Sequence, residues 1–222
     1  METDRLIAEL ARDLQPVRPL APPGRRLLYW LLVSIPPAAL LAWAFGFRPD
    51  LGQRFADPRF ALEIAATFAT ALAAGYAAFC AGLPDQPAWK LWLPLAPLAL
   101  WLATLGEQCV GVLIRMGPAG LRITPDAMCV PAIAVGGLVP AVAIVTMLRR
   151  GGRFRSTHAC FCAALAAASL GAAALRFYHP VDAAVMVIVW QFGAVALLSL
   201  LAGGAARLMV FRHPRLSADG AV

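Results

Sequence analysis

The amino-acid sequence predicts an all-α integral membrane bundle of six transmembrane helices, N-in and C-in, with a short amphipathic cytoplasmic helix at its N-terminus. Composition is the first observation behind that prediction. Of 222 residues, 61% are hydrophobic and 14% charged, and the mean hydropathy is +0.73, which leaves too little polar material to cover a water-exposed domain. The second observation is spacing. A bilayer core of roughly 30 Å needs about 20 uncharged residues per helix, and six uncharged runs meet or approach that length: 27–47, 64–84, 91–106, 127–148, 156–175 and 183–206. The third is continuity. Ala and Leu run on without the alternation that a membrane β-barrel needs, so helices satisfy the backbone.

In chain order, the sequence divides into a head with a Pro-rich linker at 1–26, a transmembrane domain at 27–206 and a tail at 207–222, with spans at about 27–47, 60–83, 89–106, 128–148, 157–177 and 182–206. Span one follows Arg25 and Arg26. Ala42-Trp43-Ala44 has a weak cleavage look, but the apolar run exceeds a signal-peptide core, so it reads as a retained span. Pro36, Pro37, Pro94, Pro97, Pro131 and Pro140 are expected to kink spans one, three and four. Glu63 opens span two near the headgroups, with Arg59 one turn earlier as its expected partner. Span three is the shortest, extended by Trp89 and Trp92 at the interface. Small residues at Ala65, Ala69, Ala73 and Ala77, and along 163–174, allow close helix approach. Asp182 opens span six, where a carboxylate suits the helix dipole.

Orientation follows from the basic residues, which resist translocation. With the N-terminus inside, thirteen of the nineteen Lys and Arg residues are cytoplasmic, among them the cluster Arg149, Arg150, Arg153 and Arg155. The net charge of +7 is spread over helix ends, which fits anionic lipid headgroups and not direct nucleic-acid binding. No zinc-protease, nucleophile-elbow, Walker or dinucleotide motif occurs, and the chain has only three histidines, His158, His179 and His213. The chain is therefore not expected to be an enzyme.

The head is the most informative soluble segment. Leu6, Ile7, Leu10 and Leu14 fall on one helical face, with Asp4, Arg5, Glu9, Arg12 and Asp13 around the rest. Thr3 or Asp4 can cap the helix, and Pro16 stops it. So short a helix is marginal in water and needs a surface for its apolar stripe. That surface is the membrane or a groove on a protein. Acids and bases are about balanced on the polar side, whereas membrane-lying helices favour Lys and Arg, and this favours a protein partner. The linker Pro16-Val17-Arg18-Pro19-Leu20-Ala21-Pro22-Pro23 would hold the helix off the bilayer in an extended chain.

The opening Met1 to Ile7, the linker Pro16 to Leu20, the central Leu148-Arg149-Arg150-Gly151, the turn Leu175-Arg176-Phe177-Tyr178-His179-Pro180 and the later Met186-Val187-Ile188-Val189-Trp190, set in a six-span frame, resemble the NrsF family of membrane anti-sigma factors. The resemblance implies a bacterial inner-membrane protein that sequesters an extracytoplasmic-function sigma factor and releases it on a periplasmic or membrane stress signal, redox or metal. It implies that Asp4, Leu6, Ile7, Leu10, Asp13 and Leu14 bind this partner, the leucines and isoleucine in an apolar groove and the aspartates against a basic surface.

Five cysteines are sorted by this topology. Cys109 and Cys129 are expected at the outer ends of spans three and four, flanking a loop at 110–128, in a compartment that permits disulfides. Cys80, Cys160 and Cys162 fall towards the inner side. Three states are open to the outer pair: a disulfide, a soft-metal site with His179 and Glu107, or free thiols acting as small hydrophobes. NrsF-type proteins resemble one another in carrying outer cysteines, which implies a sensor role for Cys129 in particular. Where the family pattern leads one to expect another cysteine near the turn between spans five and six, this chain has Tyr178 and His179. No resident cofactor is otherwise expected. The competing function classes are a small transporter or channel, which lacks paired mid-membrane acids, and a membrane thiol oxidoreductase, which lacks a CxxC. Neither explains the head and its stiff linker.

Overall fold

Apolar runs of this length leave the backbone no partner but itself in a bilayer, and helices dominate the described residues. A computed structural model describes residues 2–12, 19–121, 129–151, 155–179 and 184–212, with the side chains of 2, 10, 120, 121, 129, 130, 184 and 206–212 outside the description. The order is α1 (Glu2–Arg12), α2 (Pro23–Phe45), α3 (Leu51–Phe55), α4 (Pro58–Ala81), a 3-10 turn at Ala88–Trp92, α5 (Leu95–Met116), a second 3-10 turn at Pro118–Leu121, α6 (Cys129–Arg149), α7 (Ser156–Leu175), α8 (Ala184–Met186), a π-helical segment at Val187–Phe192 and α9 (Gly193–Arg212). There is no strand among the described residues. Six helices are long and apolar enough to cross a membrane: Pro23–Phe45, Pro58–Ala81, Ala88–Met116, Pro131–Arg149, Ser156–Leu175 and Val187–Ala205. The protein is an all-α bundle of six membrane spans.

Local chemistry sets the boundaries. Pro23 and Pro58 stand in the first turns of α2 and α4, where a missing N–H removes no helical bond. Asp57 accepts from the Arg59 amide at 3.0 Å and caps α4. Gly46, at φ 82°, turns the chain out of α2. The prolines divide by position. Pro36, Pro37 and Pro140 lie inside α2 and α6, whereas Pro94 precedes α5 and Pro97 and Pro131 lie in first turns, so these last start helices and do not kink them. The Pro140 carbonyl accepts the indole N–H of Trp30 at 2.9 Å, tying α2 to α6 in the interior.

Span three differs from its expected limits. Glu107 and Arg115 do not end the helix, which runs on to Met116, and the charge of Glu107 is met by Arg59 of α4 at 3.0 Å. Residues 110–116, expected in an outer loop, are helical. Likewise α1 starts at Glu2, ahead of the residues expected to cap it.

Helix α7 is the centre of the bundle, with 78% of its span buried against 17% for the span Ala88–Met116. It packs on α4, α6 and α9. Its Ala-rich sequence allows this, since small side chains let backbones approach. A Cβ at Gly171 would stand 2.8 Å from the Ile133 carbonyl oxygen and 3.0 Å from the Gly137 nitrogen, so the α6–α7 crossing requires glycine there. Large apolar side chains such as Leu32, Leu40, Val135, Leu138, Leu200 and Leu201 face outward, while Ser34, Thr67, Thr70, Ser169, Gln191 and Ser199 are buried. That is the polarity of a bundle solvated by lipid, and Thr67, Thr70 and Ser199 donate to carbonyls one turn back at 2.7, 2.8 and 2.7 Å.

Candidate functional site

Alternating spans give the bundle two ends. The starts of α2, α5 and α7 and the ends of α4, α6 and α9 share the head end; the opposite end holds the reverse termini. Each end carries a buried arginine that draws several helices together.

At the opposite end, Arg176, just past α7, meets Glu63 of α4 at 3.1 Å with the two side chains 4% and 3% exposed. Gln108 of α5 donates to the same carboxylate at 3.4 Å, and the Arg176 guanidinium lies 5.1 Å from the Phe60 ring centre. Glu63 therefore does not reach headgroups and does not pair with Arg59. It faces inward because α4 buries that stripe against α7, and Arg59 is taken by Glu107. A buried ion pair of this kind lies in low dielectric, where losing one partner strands the other charge.

Beside it, Arg48 forms a bidentate pair with Asp50, Nε to Oδ1 at 2.7 Å and Nη2 to Oδ2 at 2.8 Å. Its amide donates to the Phe177 carbonyl at 3.0 Å and its Nη1 to the His179 carbonyl at 3.5 Å. Arg54 also donates to Asp50, at 3.1 Å. These bonds pin the connection after α2 onto the end of α7. The Arg48 hydrogen bonds, with those of Arg54, hold the Asp50 carboxyl well below the usual carboxylate range.

At the head end, Arg26 is buried. Its Nη2 donates to the Met147 carbonyl at 2.6 Å in the last turn of α6, and its guanidinium stands 4.5 Å from the Phe79 ring centre in α4. A cation at a helix C-terminus complements the dipole and an orphan carbonyl. A Cβ at Gly151 would lie 3.9 Å from the Arg26 Nη1 and 3.6 Å from Leu20 of the linker. The end of the linker therefore rests where Arg26 joins α2, α4 and α6.

The partner-binding residues expected from the sequence lie on α1 or just beyond it. Leu6 and Ile7 are exposed at 57% and 59%, and Asp4 is exposed too. The Leu10 side chain, and Asp13 and Leu14 entirely, lie outside the described residues. Cys109 is a free thiol, partly buried within α5, seven residues before the helix end and not at a loop margin. Cys129 opens α6, with its side chain outside the description. His179 follows α7, its amide bonded to the Leu175 carbonyl at 2.9 Å. Among the described residues no three His, Cys, Asp or Glu side chains are grouped to hold a metal ion.

Sequence reasoning missed Arg176–Glu63 and Arg26 because it assigned Glu63 to Arg59 and read the basic residues at span ends as headgroup anchors. A signal was present: Arg26 and Arg176 directly adjoin apolar runs, where an ionisable group invites a search for a partner.

A family model described as NrsF, negative regulator of sigma F, matches residues 10–212. No curated protein and no solved structure shows a significant match.

Proposed function

The chain belongs to the NrsF family, negative regulators of sigma F, and from this premise we propose that it is a bacterial inner-membrane anti-sigma factor with cytoplasmic termini. Its N-terminal segment sequesters a sigma factor of the extracytoplasmic-function class and releases it on a periplasmic or membrane stress signal. One observation carries the reading: α1 exposes Leu6 and Ile7 on a short charged helix, and that helix precedes a Pro-rich linker leading into six spans. An exposed apolar pair on a marginal helix is unstable in water until a groove covers it. The family match starts at residue 10, so the role of Leu6 and Ile7 rests on the helix itself. Membrane lipids are the second partner, at the basic residues of the head end.

In the resting state the head segment inserts Leu6, Ile7, Leu10 and Leu14 into the sigma factor, and Asp4 and Asp13 meet its basic surface. The sensor is at the opposite end, where Cys109, Cys129 and His179 are the candidates for a redox or metal signal. The test uses the full-length chain and a sigma-dependent reporter. Leu6→Asp with Ile7→Asp should raise reporter output to the level of a strain lacking the chain, with membrane abundance unchanged. A reporter that stays repressed would remove the head from inhibition.

A further inference from the structure

An apolar cleft of about 460 Å³ opens at the head end between the start of α5, the start of α7 and the end of α9, lined among others by Trp92, Leu95, Leu98, Phe161, Leu165 and Gly204. Its volume falls in the range of about 300–1,000 Å³ typical of ligand sites. The packing explains the cleft. Helix α5 meets α8 and the π-helical segment towards the opposite end, where Trp101 and Phe192 close edge to face at 5.7 Å. From there towards the head end, α5 leaves the α7–α9 pair and no described side chain fills the space between them. At Gly204 a Cβ would meet nothing within 4 Å.

The rim differs in chemistry from the walls. Trp89 and Trp92, exposed at 62% and 61%, mark the headgroup level, where amphipathic rings settle. Lys90 lies between them in the chain, its Nζ donating to the neutral Gln86 Oε1 at 2.8 Å and standing 6.0 Å from the Trp89 ring centre and 5.8 Å from that of Tyr76 in α4, just outside the cleft lining. Across the cleft Arg155 immediately precedes α7, whose first turn contributes Thr157 and His158 to the lining. Apolar walls open to the bilayer, with two basic groups where headgroups lie, match a lipid with apolar chains and an anionic head.

We infer that this cleft is a binding site for an anionic phospholipid, one acyl chain lying between α5 and the α7–α9 pair and the phosphate headgroup between Lys90 and Arg155. The inference goes beyond the sigma-factor reading and holds whichever way the chain is oriented. A soluble partner is disfavoured because the walls lie below the tryptophan level, within the apolar layer.

The test places the full-length chain in nanodiscs of equal phosphatidylglycerol and phosphatidylcholine, with a trace of either lipid carrying the same photoreactive acyl chain. Peptide mapping should find the phosphatidylglycerol probe on the α5, α7 and α9 residues of the cleft, with a preference on the order of tenfold over the phosphatidylcholine probe. Gly204→Phe should abolish that labelling while leaving labelling of the exposed α2 face at Leu32 and Leu40 unchanged. Lys90→Gln with Arg155→Asn, the asparagine chosen because position 155 has φ 48°, should keep the labelled positions but bring the two probes close to equal. Equal labelling of the unsubstituted chain by both probes, or cleft labelling that survives Gly204→Phe, overturns the inference.

Discussion

Removing Glu63 tests the strongest energetic feature of the bundle. Its carboxylate and the Arg176 guanidinium are 3.1 Å apart and almost fully enclosed, so solvent screening does not discount the pair as it would a surface one. Glu63→Gln keeps the volume and a weak acceptor but leaves a buried cation without its counter-charge, at a cost of about 3–5 kcal/mol. Arg176→Gln strands the carboxylate and should cost about as much. The Phe60 ring recovers part of the loss when the cation is stranded, and the Gln108 amide, donating at 3.4 Å, part of it when the carboxylate is. The double variant strands no charge and should lie well above the sum of the singles, with a coupling energy of about 2–3 kcal/mol. Reversible unfolding in mixed micelles, followed by tryptophan fluorescence, measures all four proteins of the cycle. Singles that each lose less than about 1 kcal/mol and add in the double would refute the argument, because an effectively solvated pair behaves in that way.

Three further outcomes follow from the geometry. Gly171→Ala should lower stability by about 1–3 kcal/mol, since the new Cβ meets backbone atoms at 2.8 and 3.0 Å, whereas Gly204→Ala should be silent in the same unfolding assay. Arg26→Met should lose about 2 kcal/mol or more through the Met147 hydrogen bond and the Phe79 ring contact, and Arg26→Lys should not restore it if the planar guanidinium is what fits. Asp50 has its folded pKa depressed, so its contribution is complete above the unfolded value of about 3.9 and is lost as pH falls through the lower folded value. Hydrogen exchange across 46–57, corrected for intrinsic rates, should therefore stay slow to below about pH 4 and then quicken, while Asp50→Asn should show the faster exchange at neutral pH.

The frame was legible because a bilayer imposes one coarse constraint, an uncharged length, and six runs of this chain satisfy it. The same constraint misled at Glu107, where a charge was taken as the end of a span although α5 continues beyond it to reach Arg59. What a charge faces depends on helix rotation, and α2, α4 and α7 are apolar all round, so nothing in their periodicity fixed which side Arg26, Glu63 or Arg176 would take. The head was legible for the opposite reason. Its few apolar residues are separated by charges, and Leu6 and Ile7 stand exposed where that pattern puts them. The cleft beneath Trp92 was invisible to sequence, being a space between three helices whose lining residues stand 35 or more positions apart in the chain.

A signal received at one end of the bundle must cross it to alter the head at the other, and the magnitudes restrict what can carry it. Moving the head from almost wholly bound to almost wholly free requires about 5.5 kcal/mol of differential interaction. The exposed Arg59–Glu107 pair, with side chains 59% and 62% accessible, supplies about 1 kcal/mol at most. The Glu63–Arg176 pair has both side chains enclosed, and its loss, at about 3–5 kcal/mol, approaches the requirement. Helix α4 carries Glu63 near its start and Phe79 near its end, roughly 24 Å apart along a rigid helix at 1.5 Å per residue. Arg26 stands on Phe79 and joins the start of α2 to the end of α6, beside the linker residue Leu20. Within the proposed function, a state that breaks Glu63 from Arg176 would free α4 to shift against α7 and carry Phe79 from under Arg26. Coupling by this route requires Arg26→Met and Glu63→Gln to be non-additive in sigma release although the two sites share no contact, and additive effects there would place the transmission in another helix.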